Sequence, residues 1–184
     1  GKVAGFEVEV KNQAFDGLLP ALQSGKIDLI IAGMTVTDER KKAVDFSESY
    51  YTASQVIIVP ADNAAIKSFD DLKGKNVGVQ IGTTGDTVIS EIKEITNTKY
   101  NNGSEAVLAL TTQKVDAVVI DNEPAKNFVA KNTGLKVVDT GAVKEDYAIA
   151  IAKGNKELLD KVNTGLKTLK ENGKYDELIA KWFK

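Results

Sequence analysis

With 184 residues, 42% of them hydrophobic and 27% charged, and a formal net charge of −2, the chain has the composition of a folded protein of one large domain or two small lobes. The balance offers no basic patch for nucleic acid, and no apolar run reaches the roughly 20 residues that a bilayer span needs. Cysteine and histidine are both absent, which removes disulfides, thiolate nucleophiles, imidazole bases and the commonest transition-metal ligands, so no cofactor or metal is expected and binding outranks catalysis.

In chain order, residues 16–25 read as a short helix, with Asp16 as N-cap, Pro20 in the first turn and Gly25 as the stop. A buried strand follows at 27–31. Short β-branched runs at 56–59, 77–79, 115–120 and 148–151 read as further strands, with helical patterns at 87–95, 106–110 and 125–131 around them. The helical signal is strongest near the end of the chain, where Leu158, Leu159, Val162, Leu166 and Leu169 share one face, Asn155 caps the start and Gly173 follows the last turn. Residues 175–183 form a last helix that groups Leu178, Ile179 and Trp182. Alternation of this kind predicts an α/β fold with mostly parallel sheets.

The sequence also repeats itself. Ala21-Leu22, Lys26-Ile27-Asp28 and Ile30-Ile31 align with Ala109-Leu110, Lys114-Val115-Asp116 and Val118-Val119 at a constant offset of 88 (114 − 26). Two lobes are therefore expected to share one helix-turn-strand plan. The alignment superimposes Gly33 on Asp121, just beyond the carboxyl end of a strand, where open α/β sheets bind ligands.

Three groups of residues carry chemistry suited to a small ligand. Arg40 is the one arginine among 24 basic residues, and its planar fork can hold a carboxylate with two parallel hydrogen bonds as a lysine cannot. The other reading of Arg40 is a structural ion pair with Asp38, Glu39 or Asp45. The run from Val77 to Asp86 passes from a strand through a glycine turn into a helix, whose free N–H groups attract an anion, with Thr83 and Thr84 as hydroxyl donors; its other reading is a plain capped helix. Asp121 ends an apolar strand and suits a cation, or else caps the following helix. An arginine, a helix start and an aspartate together match the two charges of an α-amino acid.

Phe15-Asp16-Gly17-Leu18-Leu19-Pro20-Ala21-Leu22, Ala32-Gly33-Met34-Thr35, Thr37-Asp38-Glu39-Arg40-Lys41, Asp45-Phe46-Ser47 and Tyr50-Tyr51 resemble the polar amino-acid-binding proteins of ABC importers, the type II solute-binding proteins of family 3. Asp71-Leu72-Lys73-Gly74-Lys75, Gly82-Thr83-Thr84 and the ending from Glu171 to Trp182 extend the likeness along the chain. The resemblance implies a two-lobe periplasmic-binding-protein-like fold with two parallel-rich sheets and a double crossover hinge near residues 57–61 and 147–151. Lobe 1 would comprise residues 1–58 and 150–184, and lobe 2 residues 59–149. It implies that Arg40 and Thr83 hold the ligand carboxylate, while the Gly33 backbone, the Thr35 hydroxyl and Asp121 hold the ammonium. Met34 lies in the same stretch, Phe15 matches an aromatic position against the ligand side chain, and Gln80 one at its far end; as plain structure these last two are lobe core and strand end.

The likeness departs at the start, where Gly5-Phe6-Glu7-Val8-Glu9 runs directly into Val10-Lys11-Asn12-Gln13-Ala14-Phe15. Family members place a first strand before this segment and a first helix within it, so the expectation is a shortened first lobe, weaker ligand affinity and an open sheet edge able to associate with a second chain. The implied role is a non-enzymatic, extracytoplasmic receptor in the periplasm or at the cell surface, its signal or lipid-anchor segment absent, that hands a polar amino acid to the membrane subunits of an ABC transporter by hinge closure. The alternatives are a sensor module or scaffold with impaired binding, and a dehydratase of the same fold, which would need a carboxylic acid poised in the cleft.

Overall fold

A computed structural model describes residues 1–183, which fall into two units. The first comprises Gly1–Gln13, Gly17–Thr52 and the described residues from Asp146 onward; the second comprises Ala14–Asp16 and Ala53–Glu145. Apart from the short piece Ala14–Asp16, the chain passes from one to the other inside two long strands, β3 (Tyr51–Pro60) and β7 (Leu135–Tyr147).

In the second unit, β4 (Asn76–Gln80), β5 (Thr96–Tyr100) and β6 (Ala117–Asp121) join β3 and β7 in one sheet of order β5-β4-β6-β3-β7. β4 runs parallel to β5 and β6, whereas β3 pairs antiparallel with β6, Val56 opposite Ile120 and Ile57 opposite Val119. Successive strand residues point to opposite faces, and here both faces are covered. Val56, Ile58, Val118 and Ile120 pack with α4 (Gly103–Thr111) and α5 (Asn122–Lys131), while Ile57, Val59, Val77, Val79 and Val119 pack with Leu72 and with Ile89 of α3 (Thr84–Glu91). Burial on both sides is why these strands read as unbroken apolar runs.

The first unit has a smaller sheet. β1 (Leu29–Ile30) and β2 (Val44–Phe46) both pair with β8 (Ala150–Ala152), so the order is β1-β8-β2. Both pairs are antiparallel, and the parallel pairing expected from the sequence is confined to the second unit. Ile149 and Ile151 pack against Val162 and Leu166 of α6 (Lys156–Glu171), with Phe6 and Tyr50 at the margin. As predicted, Asn155 caps α6, its side chain accepting the Leu158 N–H at 3.2 Å, and Gly173 turns the chain at φ +74° into α7 (Lys174–Trp182). Residues 1–14 form neither helix nor strand.

The predicted cap at Asp16 is displaced. Asp16 lies inside a 3₁₀ turn, Phe15–Gly17, and α1 (Leu18–Gln23) has Gly17 at its N-cap with no side-chain bond. The predicted helix at 87–95 also ends early. Ile92 is the C-cap of α3, and Ile95 joins the core from the connection to β5, a strand the sequence pattern did not mark.

The internal repeat, by contrast, is reproduced bond for bond. In the first copy Ser24 N–H donates to Pro20 O at 3.0 Å, Gly25 N–H to Leu22 O at 3.1 Å and Lys26 N–H to Ala21 O at 2.9 Å. Eighty-eight residues on, Thr112 donates to Leu108 O at 3.0 Å, Gln113 to Leu110 O at 3.0 Å and Lys114 to Ala109 O at 2.8 Å. The turn residue is left-handed in both, Gly25 at φ +71° and Gln113 at φ +58°, and Gln113 is the one non-glycine residue with positive φ among the described residues.

Candidate functional site

In the first unit the residues beyond β1 are held by a short ladder to the segment 146–148. Val36 N–H donates to Asp146 O at 2.8 Å, Thr35 forms a bridge with Tyr147, and Ala148 N–H donates to Met34 O at 3.2 Å. Gly33 has φ +60°, and a Cβ there would lie 3.2 Å from the Tyr147 ring, so the close approach and the left-handed turn both require glycine. Its N–H donates to the Tyr50 hydroxyl at 3.1 Å. Burial pushes the Tyr50 phenol above its ordinary value while the Gly33 N–H opposes this, so the hydroxyl stays neutral and able to accept.

Thr37 caps α2 (Asp38–Ala43), its hydroxyl accepting the Arg40 N–H at 3.1 Å. The cap places Arg40 in the first turn, and its Nη1 donates to Thr35 O at 2.7 Å. Asp38, Glu39 and Asp45 are each bonded by a lysine, Lys41, Lys42 and Lys153 respectively. Gly33, Met34, Thr35 and Arg40 thus come together, with Met34 fully buried and Thr35 nearly so.

The second unit gathers its own set. Thr83 is the N-cap of α3, accepting the Asp86 N–H at 3.3 Å, and its hydroxyl proton goes to Gln80 O at 2.8 Å. The neighbouring Thr84 hydroxyl instead donates to Glu145 Oε2 at 2.6 Å and accepts from Gln55 Nε2 at 2.9 Å. That same amide donates to Asp121 Oδ1 and, at 3.4 Å, to Glu145 Oε2. Asp121 occupies the N-cap position of α5 without using its side chain as a cap, so the capping reading of this residue is set aside. Gln80 ends β4, and Phe15 is half-buried in the 3₁₀ turn whose Asp16 Cα would lie 3.2 Å from a Cβ on Gly82.

Sequence reasoning brought Asp121 and the Thr83–Thr84 turn to this place but missed Gln55 and Glu145. Gln55 carried a signal, as a polar residue inside the apolar run of β3, and it is only 2% exposed. Glu145 carried none, since it reaches Thr84 across 61 residues of sequence from a largely polar strand. Two carboxylates, a buried amide and a hydroxyl form a polar network suited to a cationic group, while an arginine beside a tight backbone turn suits an anionic one. Among the described residues no helix is long and apolar enough to cross a membrane.

Comparison with known proteins follows the same direction. The sequence matches the bacterial extracellular solute-binding proteins, family 3, over residues 1–184. It is 39% identical over 188 residues to the arginine-binding extracellular protein ArtP of Bacillus subtilis (strain 168), covering 99% of this chain and 73% of that protein. Among solved structures it resembles an ancestral arginine-binding protein bound to arginine, with a TM-score of 0.96, 48% identity and coverage of 100% of this chain and 83% of the other. An ancestral arginine-binding protein bound to glutamine matches with a TM-score of 0.95 and 48% identity over 99% of this chain and 82% of the other.

Proposed function

Because the chain belongs to the bacterial extracellular solute-binding proteins of family 3, we propose that it binds a polar L-α-amino acid, glutamine, arginine or one of similar polarity, for delivery to the membrane subunits of an ABC transporter outside the cytoplasm. The observation that carries the reading is the placement of Arg40. One Nη donates to the Thr35 carbonyl, which fixes the plane of a fork with five donors against the Gly33–Thr35 turn. In this reading Arg40 takes the ligand carboxylate together with Thr83 at the start of α3, whose hydroxyl proton turns from Gln80 O to the ligand. The ammonium is taken by Asp121, with the Gly33 backbone and Thr35 contributing acceptors. Phe15, Met34 and Gln80 then act on the ligand side chain and its surroundings.

Binding to the folded state alone raises stability, by about 2.7 kcal/mol at a ligand concentration a hundredfold above Kd. Thermal melts with each of the twenty amino acids should therefore show a rise in Tm of several degrees with one or a few polar ones. Twenty unchanged melting curves at millimolar ligand would contradict the reading.

A further inference from the structure

Asp86 is an acidic residue 6% exposed to solvent, and no part of the functional reading above uses it. Its two oxygens do different things. Oδ1 takes three donors from α3 and β5: Lys99 Nζ at 2.9 Å, Asn97 Nδ2 at 2.9 Å and Ser90 Oγ at 3.1 Å. Oδ2 accepts the backbone N–H of Gly82 at 3.0 Å. The carboxylate is thus anchored on one side and holds the glycine turn on the other.

That turn is tight. Gly82 has φ +78°, and a Cβ on it would sit 3.1 Å from the Asp16 Cβ. The next residue is Thr83, the N-cap of α3, so any shift of Gly82 is carried into the group read above as a donor to the ligand carboxylate. The cluster is also imperfect as a stabilising device, because Asn97 Oδ1 is buried with no hydrogen-bond partner. An orphaned buried carbonyl costs stability, and a buried ion pair often contributes little against an apolar replacement. What the arrangement secures is the direction of Asn97 Nδ2 and, through it, of Asp86.

We propose that Asp86 is a positioning residue of the binding site, fixing the Gly82–Thr84 turn so that the start of α3 meets the carboxylate of the ligand. The proposal rests on the functional reading above, and isothermal titration with an amino acid bound by the unsubstituted protein tests it. Asp86→Ala is expected to weaken binding about tenfold, the equivalent of losing roughly one well-made hydrogen bond. Asp86→Asn keeps the volume, but with its amide oxygen toward the three donors of Lys99, Ser90 and Asn97 its NH2 group faces the Gly82 N–H and cannot accept it; it is expected to weaken binding in the same direction and decides the matter if the alanine variant does not fold. Lys99→Met removes the ion pair, leaves the acceptor of Gly82 in place, and should stay within about twofold, as expected of a partly exposed pair.

The amide proton of Gly82 gives a readout that general destabilisation would not move. Its nuclear magnetic resonance shift should change in both Asp86 variants and hold in Lys99→Met. Binding unchanged in the folded Asp86 variants, or weakened equally by Lys99→Met, overturns the role of Asp86 while leaving the functional reading intact. Absence of any amino-acid binding by the unsubstituted protein sinks the functional reading, and this role with it.

Discussion

In the second unit, β3, β4 and β6 are covered on both faces, so Ile57, Ile58, Val59, Val77, Val79, Val118 and Val119 are all completely buried. The sheet of the first unit has strands of two, three and three residues. Around it Val8, Val10 and Ile31 stand 53%, 86% and 61% exposed, and α7 contributes no buried residue. Since stability grows with apolar area removed from water, two units that share a helix-turn-strand plan should differ widely in stability. The candidate ligand groups of the first unit, Gly33 to Thr35 and Arg40, are attached to the weaker of the two.

Calorimetric unfolding should break this comparison most sharply. Two transitions are expected, the lower belonging to the first unit. Ile57→Ala should lower the upper one and Ile151→Ala the lower one, each costing about 2–5 kcal/mol, the usual range for an isoleucine truncated in a packed core. A single transition shifted equally by both would mean that the units unfold as one.

Acid should weaken both units, through different residues. Burial pushes the Asp86 carboxyl up, but Lys99, the Gly82 N–H, Asn97 and Ser90 together outweigh it and hold the group below the ordinary aspartate value. Asp45 in the first unit is held low by Lys153 first and then by the Gly154 N–H. A carboxyl with a depressed folded pKa stabilises fully above the unfolded value, near about 3.9, and loses that contribution as pH falls through the folded value. Melting temperatures followed from about pH 5 to pH 3 should fall for both transitions. Asp86→Asn should flatten the fall of the upper transition alone, and Asp45→Asn that of the lower.

The repeat gives a finer comparison. At the matched left-handed turns, Gly25→Ala should cost about 1 kcal/mol and Gln113→Gly should gain about the same, because only glycine takes positive φ without a steric penalty. Changes of the same sign at the two turns would show that their shared hydrogen bonds do not make them equivalent. Tyr50→Phe removes the acceptor of the Gly33 N–H and should destabilise the first unit by about 1 kcal/mol, visible in the lower transition only.

Much of this architecture could be read from the sequence where burial is two-sided or a cap is local. The doubly covered strands gave apolar runs, Asn155 and Gly173 marked the ends of α6, and the matched Lys-Ile-Asp and Lys-Val-Asp exposed the repeat. What could not be read lies where neither cue operates. β5, Thr-Asn-Thr-Lys-Tyr, is a polar edge strand; α2 buries no residue; β7 is half-buried or exposed along its length, with only Tyr147 buried. In the candidate site the chemically distinctive residues Arg40 and Asp121 were legible singly. The network around Gln55 was not, because it is assembled from residues 29, 66 and 90 positions away from that amide.

The central claim is that this chain binds an amino acid through Arg40 and Asp121. Isothermal titration of the unsubstituted protein, Arg40→Ala and Asp121→Ala with the amino acids that shift Tm tests it most directly. The account predicts a saturable binding heat for at least one polar amino acid, and a loss of at least about a hundredfold in affinity in each folded variant, as for removal of one partner of a hydrogen-bonded charge pair. Binding that survives both substitutions unchanged would contradict it.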